Sequence, residues 1–213
     1  MIFIRDRGVL LKDENDVDLK TSMGLRFLME EIRTVIYTSH YNSPIGRILL
    51  ASRNENLIGL WIENQKYYFD CVKEKTKKQD RNSVLLQTKQ WLDRYFAGEK
   101  PSVTELNIAP IGSDFRKVVW QILCEIPYGE TTTYGEISSK VAVKLGKKRM
   151  SAQAVGGAVG HNPISIIIPC HRVVGSNGSL TGYAGGINKK IELLVLEGAW
   201  REEFFVPQKS AAP

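Results

Sequence analysis

Pro169-Cys170-His171-Arg172 closes an apolar run, Ile166-Ile167-Ile168, and sets a thiol beside an imidazole and a guanidinium. The thiolate is the nucleophile of cysteine chemistry, and cationic neighbours lower the pKa at which it forms. Cys170 is therefore the candidate nucleophile and His171 a candidate base, although side chains adjacent in sequence often point apart. A cysteine in apolar surroundings is more often an inert small hydrophobe. That plainer reading is given to Cys71, after the aromatic cluster Tyr67-Tyr68-Phe69, and to Cys124, on an apolar helical stretch. Cys170 differs because Pro169 locks the turn before it and two basic residues follow. Downstream, Gly175 to Gly186 is dense enough in glycine to bring backbone close to a flat ligand. Tyr134, Asn162 and Glu197 are further polar candidates. Their simpler readings are packing, a turn position in His161-Asn162-Pro163, and a solvated helix end.

These residues need elements to hold them. The 213 residues suffice for one large domain or two small ones, and 43% hydrophobic with 24% charged residues is a globular composition. A net charge of +6 favours polyanionic partners only weakly. Three cysteines without close pairing argue against a disulfide framework and for a reducing compartment. His40, His161 and His171 are scattered and no CxxC pair occurs, so no metal site is expected. No apolar run has the length to span a bilayer, and Arg5, Asp6 and Arg7 fall where a secretory signal needs its apolar core. A cytoplasmic protein is expected, nucleoid-associated if bacterial.

Residues 1–33 read as an extension of uncertain structure, with a charge-interrupted helix pattern over Lys20 to Arg33. Val35-Ile36-Tyr37, Arg47 to Ala51 and Leu57 to Ile62 read as strands separated by turn chemistry at Asn42 to Gly46 and Arg53 to Asn56, an antiparallel meander. A helix follows on Val84, Thr88, Trp91, Leu92 and Tyr95, with Ser83 as cap and Gly98 as stop, and Lys73 to Arg81 reads as a solvated basic loop. Periodicity lapses over Pro101 to Ser113, which divides a unit at 34–110 from a second at 111–200, with a tail at 201–213. In the second unit Phe115, Val118, Val119, Ile122 and Leu123 share one helix face, and Thr133-Tyr134-Gly135-Glu136 matches a capping box. The basic residues Lys140, Lys144, Lys147, Lys148 and Arg149 then lead to Ser151, a cap for Ala152 to Gly160. Two short helices so joined read as helix-turn-helix. The second is nearly all Ala and Gly, with Gln153 its long side chain. Such a surface suits either tight packing, the simpler reading, or close approach to a narrow groove. The Ile166 to Ile168 run reads as the end of a buried strand.

Together these segments resemble the O6-alkylguanine-DNA alkyltransferases, the methylated-DNA–protein-cysteine methyltransferases. The match is carried by Ile126-Pro-Tyr-Gly-Glu130, Thr133 to Glu136, Ala154-Val-Gly-Gly157, His161 to Pro163, Ile168-Pro-Cys-His-Arg-Val173, Gly178 to Gly186 and Leu194 to Glu197. Ser43-Pro-Ile-Gly46 extends it upstream. The resemblance implies a ribonuclease-H-like α/β N-terminal domain followed by an all-α, winged-helix-like DNA-binding domain. It implies Cys170 as alkyl acceptor, His171 as its base through a water, Glu197 orienting that histidine and Asn162 fixing the active-site segment. Tyr134 would donate to the extruded base and crowd its phosphate. Val173, Tyr183, Ala184 and Gly185 would line the guanine pocket, with Tyr134, Gly135, Arg149, Ala152, Gln153 and Ser176 meeting DNA. The implied partner is double-stranded DNA carrying O6-alkylguanine, with O4-alkylthymine left open, acted on by a monomer without cofactor. Many members carry arginine where this chain has Gln153, and the N-terminal zinc ligands of some members are missing. Two other readings remain at this level: a DNA-binding regulator in which the cysteine is idle, and a thiol hydrolase, for which no separate oxyanion-hole motif is present.

Overall fold

A computed structural model describes residues 35–207. The extension read over 1–33, including its possible helix, lies outside the described residues. β1 (Ile36–Ser43), β2 (Gly46–Arg53) and β3 (Asn56–Ile62) form the antiparallel meander. The strands are longer than their apolar cores because polar residues, exposed at His40 and Asn42 but buried at Ser39 and Ser52, continue the ladder.

The meander gains one strand that the composition concealed. β4 (Thr76–Lys78) lies parallel to β1 at the sheet edge, so the order is β3-β2-β1-β4 and the basic loop read over Lys73 to Arg81 is partly strand. All three of its residues are exposed, and lysines on an edge strand discourage pairing with a second sheet.

A register shift at Ala51/Ser52 leaves Ile58 as the extra residue of β3. Leu57, Leu60 and Ile62 therefore pack into the main core, while Ile58 and Trp61 pack on the other face with Ile36 and Ala51. Gly59 sits beneath the Trp61 ring, where a Cβ would fall 1.8 Å from the indole. α1 (Ser83–Phe96) lays Leu85, Thr88, Trp91, Leu92 and Tyr95 on the main-core face. Its cap is Asn82, which accepts from the Leu85 amide, and Gly98, at φ +82° just past the last cap residue Ala97, stops it as expected. Asn82 takes the role expected of Ser83 because its backbone is still extended while Ser83 is already helical.

After a single 3₁₀ turn at Val103–Glu105 the chain becomes helical. α2 (Asp114–Leu123), α3 (Tyr134–Lys144) and α4 (Ala152–Gly160) pack against one another. The Thr133/Glu136 capping box and the Ser151 cap both form. The Trp120 indole on α2 donates to the Ala158 carbonyl, which docks α4 on α2. α5 (Ile187–Leu196) follows the glycine-rich loop. A two-rung parallel ladder, β5 (Thr132–Thr133) with β6 (Val173–Val174), ties the start of α3 to the segment just after Cys170.

The Ile166 to Ile168 run is not a strand. Residues 165–167 form a turn, Ile166 has φ +70°, and only Ile164 bridges to a strand, pairing with Leu60 of β3. Burial, not pleating, explains its apolar character: Ile164, Ile166, Ile167 and Ile168 all lie in the main core. Leu60 N–H donates to the Pro163 carbonyl and Ser165 N–H to the Leu60 carbonyl, so the meander's last strand anchors the turn that leads to Cys170. The start of the tail also packs, with Phe204 buried beside Val174, Leu180 and Leu194. No helix among the described residues is long and apolar enough to cross a membrane.

Candidate active site

Cys170 begins a 3₁₀ turn, Cys170–Arg172, directly after Pro169, and only 5% of it is exposed. Asn162, just past the end of α4, controls this turn. Its amide nitrogen donates to the Ile168 carbonyl at 2.8 Å and to Cys170 Sγ at 3.1 Å, and its oxygen accepts from Ile164 N–H at 3.0 Å. The turn is thus laced at its start, middle and end by one side chain.

The 3₁₀ geometry sends His171 away from the sulfur. Its Nε2 meets Glu197 Oε1 at 2.8 Å, inside a region where neither side chain is exposed. A carboxylate accepts only, so Nε2 carries the proton and Nδ1 keeps its lone pair. Among the described residues Nδ1 has no protein partner. Glu197 caps α5 and is held from several sides. Tyr95 Oη donates to Oε1 at 2.7 Å, and Arg172 donates from Nε to Oε2 at 2.8 Å and from Nη2 to Oε1 at 2.9 Å. Gly129 N–H approaches Oε2 at 3.4 Å. Burial alone raises the Glu197 pKa, but His171 and Arg172 outweigh it and hold the carboxyl well below the usual carboxylate range.

The other titrating groups explain the resting state. Burial pushes the Cys170 thiol up, against the Asn162 hydrogen bond and the Lys190 charge, which pull it down. Burial also pushes the His171 imidazole down despite Glu197. The resting pair is therefore neutral thiol and neutral imidazole. The expectation that His171 and Arg172 would activate the thiol as cations is corrected here: His171 rests uncharged and Arg172 is spent on Glu197. The cation that acts on Cys170 is Lys190, which sequence reasoning missed. Lys190 is 1% exposed, and its ammonium donates to the Val173 carbonyl at 2.5 Å and the Thr181 carbonyl at 3.3 Å. Burial lowers its pKa to about 8, opposed by Cys170. Nothing in Asn188-Lys189-Lys190 distinguishes a buried lysine from a solvated one; its helical register with Leu193 and Leu194 was the available signal.

Tyr134, the first residue of α3, donates from its hydroxyl to the same Thr181 carbonyl at 3.0 Å. Val173 is fully buried and Tyr183 nearly so. The Ala184 carbonyl accepts from Lys66 N–H at 2.8 Å, so the turn after β3 braces the glycine-rich loop. A Cβ at Gly185 would lie 2.8 Å from the Tyr183 ring and 3.2 Å from Ile62 Cδ1, which leaves space only for glycine.

Cys170, Asn162, His171 and Glu197 are thus held on one short segment and its supports, with Tyr134, Val173 and Tyr183 to Gly185 around them. Gly135, Arg149, Ala152, Gln153 and Ser176 make no hydrogen bond into this cluster and are exposed. The small-residue helix only partly serves packing. Val155, Ala158 and Val159 are buried, whereas Ala152, Gln153, Ala154 and Gly157 face outward as a low, smooth surface. Among the described residues no cluster of three His, Cys, Asp or Glu side chains is placed to hold a metal ion.

Comparisons with known proteins agree with this architecture. Residues 36–110 match the family described as "6-O-methylguanine DNA methyltransferase, ribonuclease-like domain", and residues 114–199 match "6-O-methylguanine DNA methyltransferase, DNA binding domain". The chain is 40% identical over 164 residues to a methylated-DNA–protein-cysteine methyltransferase of Haemophilus influenzae, covering 77% of this chain and 87% of that protein. It is 44% identical over 176 residues to that of Methanosarcina barkeri, covering 76% and 97%. A Mycobacterium tuberculosis OGT crystallised in complex with DNA superposes with a TM-score of 0.65 at 39% identity, covering 78% of this chain and 93% of that one. On these matches, spanning both the meander and the helical unit that carries Cys170, the chain belongs to the methylated-DNA–protein-cysteine methyltransferase family.

Proposed function

We propose that the protein repairs double-stranded DNA by taking the alkyl group of O6-alkylguanine onto Cys170 in a single, stoichiometric transfer. The observation that carries this reading is the laced turn: one sulfur, gripped by Asn162, on the same turn as a histidine whose Nε2 is fixed by Glu197 and whose Nδ1 is left without a partner among the described residues.

The Cys170 thiol gives its proton to His171 Nδ1, through a water, as Glu197 steadies the imidazolium. The sulfur then attacks the alkyl carbon, forming the C–S bond while the C–O6 bond breaks and its electron pair leaves on guanine. Tyr134 turns its hydroxyl from the Thr181 carbonyl to donate to the base, and the released guanine ends with the proton the thiol gave up. The products are S-alkylcysteine and guanine. The C–S bond of a thioether resists displacement, because a thiolate would have to leave, and no side chain among the described residues is placed to regenerate the thiol, so each molecule acts once.

Thiolate formation is not the main source of rate. A free thiol is a few per cent ionised at neutral pH, so complete ionisation gains about 30-fold. Lowering its pKa by about three units would forfeit roughly 20-fold in nucleophilicity at a Brønsted slope of 0.4–0.5. These nearly cancel. Positioning of sulfur against carbon and hydrogen bonds to the departing guanine must supply the rest. That requirement fits a neutral resting thiol and a rigid pocket.

Access demands that the base leave the duplex, at a cost of a few kcal/mol. The exposed Ala/Gly face of α4 suits the minor groove, with Gln153 entering the stack in place of the base and Lys147, Lys148 and Arg149 on phosphates. Val173 and the Tyr183 to Gly185 backbone receive the everted guanine, and Ser176 meets the DNA backbone from the turn after β6.

Titration with a duplex carrying one O6-methylguanine tests the stoichiometry. Repaired guanine should rise linearly with protein and stop at one per chain. Continued turnover would overturn the single-use reading, and no repair at all would overturn the function.

A further inference from the structure

Behind the catalytic turn lies a cavity of about 880 Å³ at the seam between the meander and the helical unit. Its volume falls within the range of small-molecule sites, which favour such seams. Trp91, Tyr95, Trp120, Leu106 and Ile108 give it apolar, largely aromatic walls. Four cations, Arg53, Lys100, Lys117 and Arg172, line it and no carboxylate does. Arg53 and Arg172 are neutralised by Glu74 and Glu197 from outside. Lys117 lies 3.9 Å from the exposed Asp114 at the rim, and Lys100 sits over the Tyr128 ring at 5.3 Å from its centroid. The floor is Ile166, Ile167 and Ile168, the turn that ends at Cys170. A β-branched residue at φ +70°, as Ile166 is, is a strained conformation held by its surroundings.

We propose that this cavity binds an amphipathic organic anion, an aromatic or long aliphatic body with one carboxylate, and that its occupancy stiffens the turn bearing Cys170. The apolar body lies between Trp91 and Trp120, and the carboxylate meets Lys100 and Lys117 at the rim. An amine of the same shape is repelled, and a neutral alcohol lacks the charge pairing. Coupling to Cys170 follows from the shared floor. With Sγ only slightly exposed, alkylation by a small reagent is fastest when the turn breathes, and the space behind Ile166 is where the turn can go. A filled cavity removes that space.

Calorimetric titration with 2-naphthoate tests the site. We expect saturable one-to-one binding with a Kd of about 100 μM or tighter, weakened at least tenfold in the Lys100→Glu/Lys117→Glu variant and for 2-naphthylmethanol. In ¹⁵N spectra the indole N–H signals of Trp91 and Trp120 should move, while those of Trp61 and Trp200 stay. Saturating 2-naphthoate should slow carboxamidomethylation of Cys170 by iodoacetamide at least about threefold, with no slowing in the double variant. Absence of saturable binding, equal affinity in the double variant, or shifts confined to Trp200 would overturn the site. Binding without any change in Cys170 alkylation would overturn the coupling. Neither measurement uses DNA, so failure here is separable from failure of the repair reading.

Discussion

One amide nitrogen of Asn162 reaches both Cys170 Sγ, at 3.1 Å, and the Ile168 carbonyl, at 2.8 Å, so the residue that shapes the turn also touches the sulfur proposed as nucleophile. Replacing it by alanine removes both contacts and the bond to Ile164 N–H. The Ile164 N–H is left buried without a partner, at about 1–3 kcal/mol, while the Ile168 carbonyl loses one of its two donors and keeps Cys170 N–H. Asn162→Ala should lose roughly 3 kcal/mol in urea unfolding and at least about 100-fold in transfer rate. Asn162→Asp should lose more, because its carboxylate would face the sulfur without a hydrogen to donate.

Glu197 predicts a steep acid limb. Its folded pKa lies below the ordinary 4.5, so its contribution is complete above about pH 4.5 and is lost as pH falls toward the depressed folded value. His171 acts earlier. Its folded pKa is below the ordinary 6.5, so the unfolded chain takes up the extra proton and stability declines as pH drops through that value. Urea midpoints measured from pH 8 to pH 3 should fall in these two stages. Glu197→Gln should flatten the lower stage, and by leaving Arg172 buried without its carboxylate should cost about 3–5 kcal/mol at pH 7.

Lys190 acts at the alkaline end. Its pKa is about 8 in the folded chain and 10.5 ordinarily, so the unfolded state holds more protons between those values and stability rises with pH across that window. Lys190→Met should abolish the rise. It should also move the pH profile of Cys170 carboxamidomethylation to higher pH, since the cation that lowers the thiol's pKa is gone. An unchanged profile would reduce Lys190 to a tie between the Val173 and Thr181 carbonyls.

Gln153 is exposed at the start of α4, so its replacement leaves the core untouched. Gln153→Arg adds a stacking plane and a charge. DNA affinity should improve by about two- to fivefold and the salt dependence steepen by roughly one ion. Unaltered or weaker binding in a filter or anisotropy assay would contradict the wedge role given to this position.

Local chemistry made much of this legible. The Thr133/Glu136 box, the Ser151 cap and the meander rest on interactions within a few residues, which a sequence displays directly. Glu197 was nominated, but its grip by Arg172 and by Tyr95, 102 residues away, was not readable, because long-range pairs leave no local pattern. The Ile166 to Ile168 run misled because an apolar triplet signals burial without stating geometry. Here the Ile168 carbonyl is claimed by Asn162 and Cys170 N–H, which removes it from any ladder. β4 escaped notice for the converse reason: a strand exposed on every residue has no apolar alternation to read. Lys190 was passed over because lysine is almost never buried, and that rarity is what marks it once the structure is known.

The claim on which all of this depends is that Cys170 receives the alkyl carbon. Incubation with a duplex containing O6-methylguanine, followed by mass analysis of the peptide bearing Cys170, tests it directly. The account predicts an increment of about 14 Da, one methylene, on that peptide alone, with Cys71 and Cys124 unmodified. Restored guanine with an unmodified Cys170 peptide, or the increment on another residue, would contradict it.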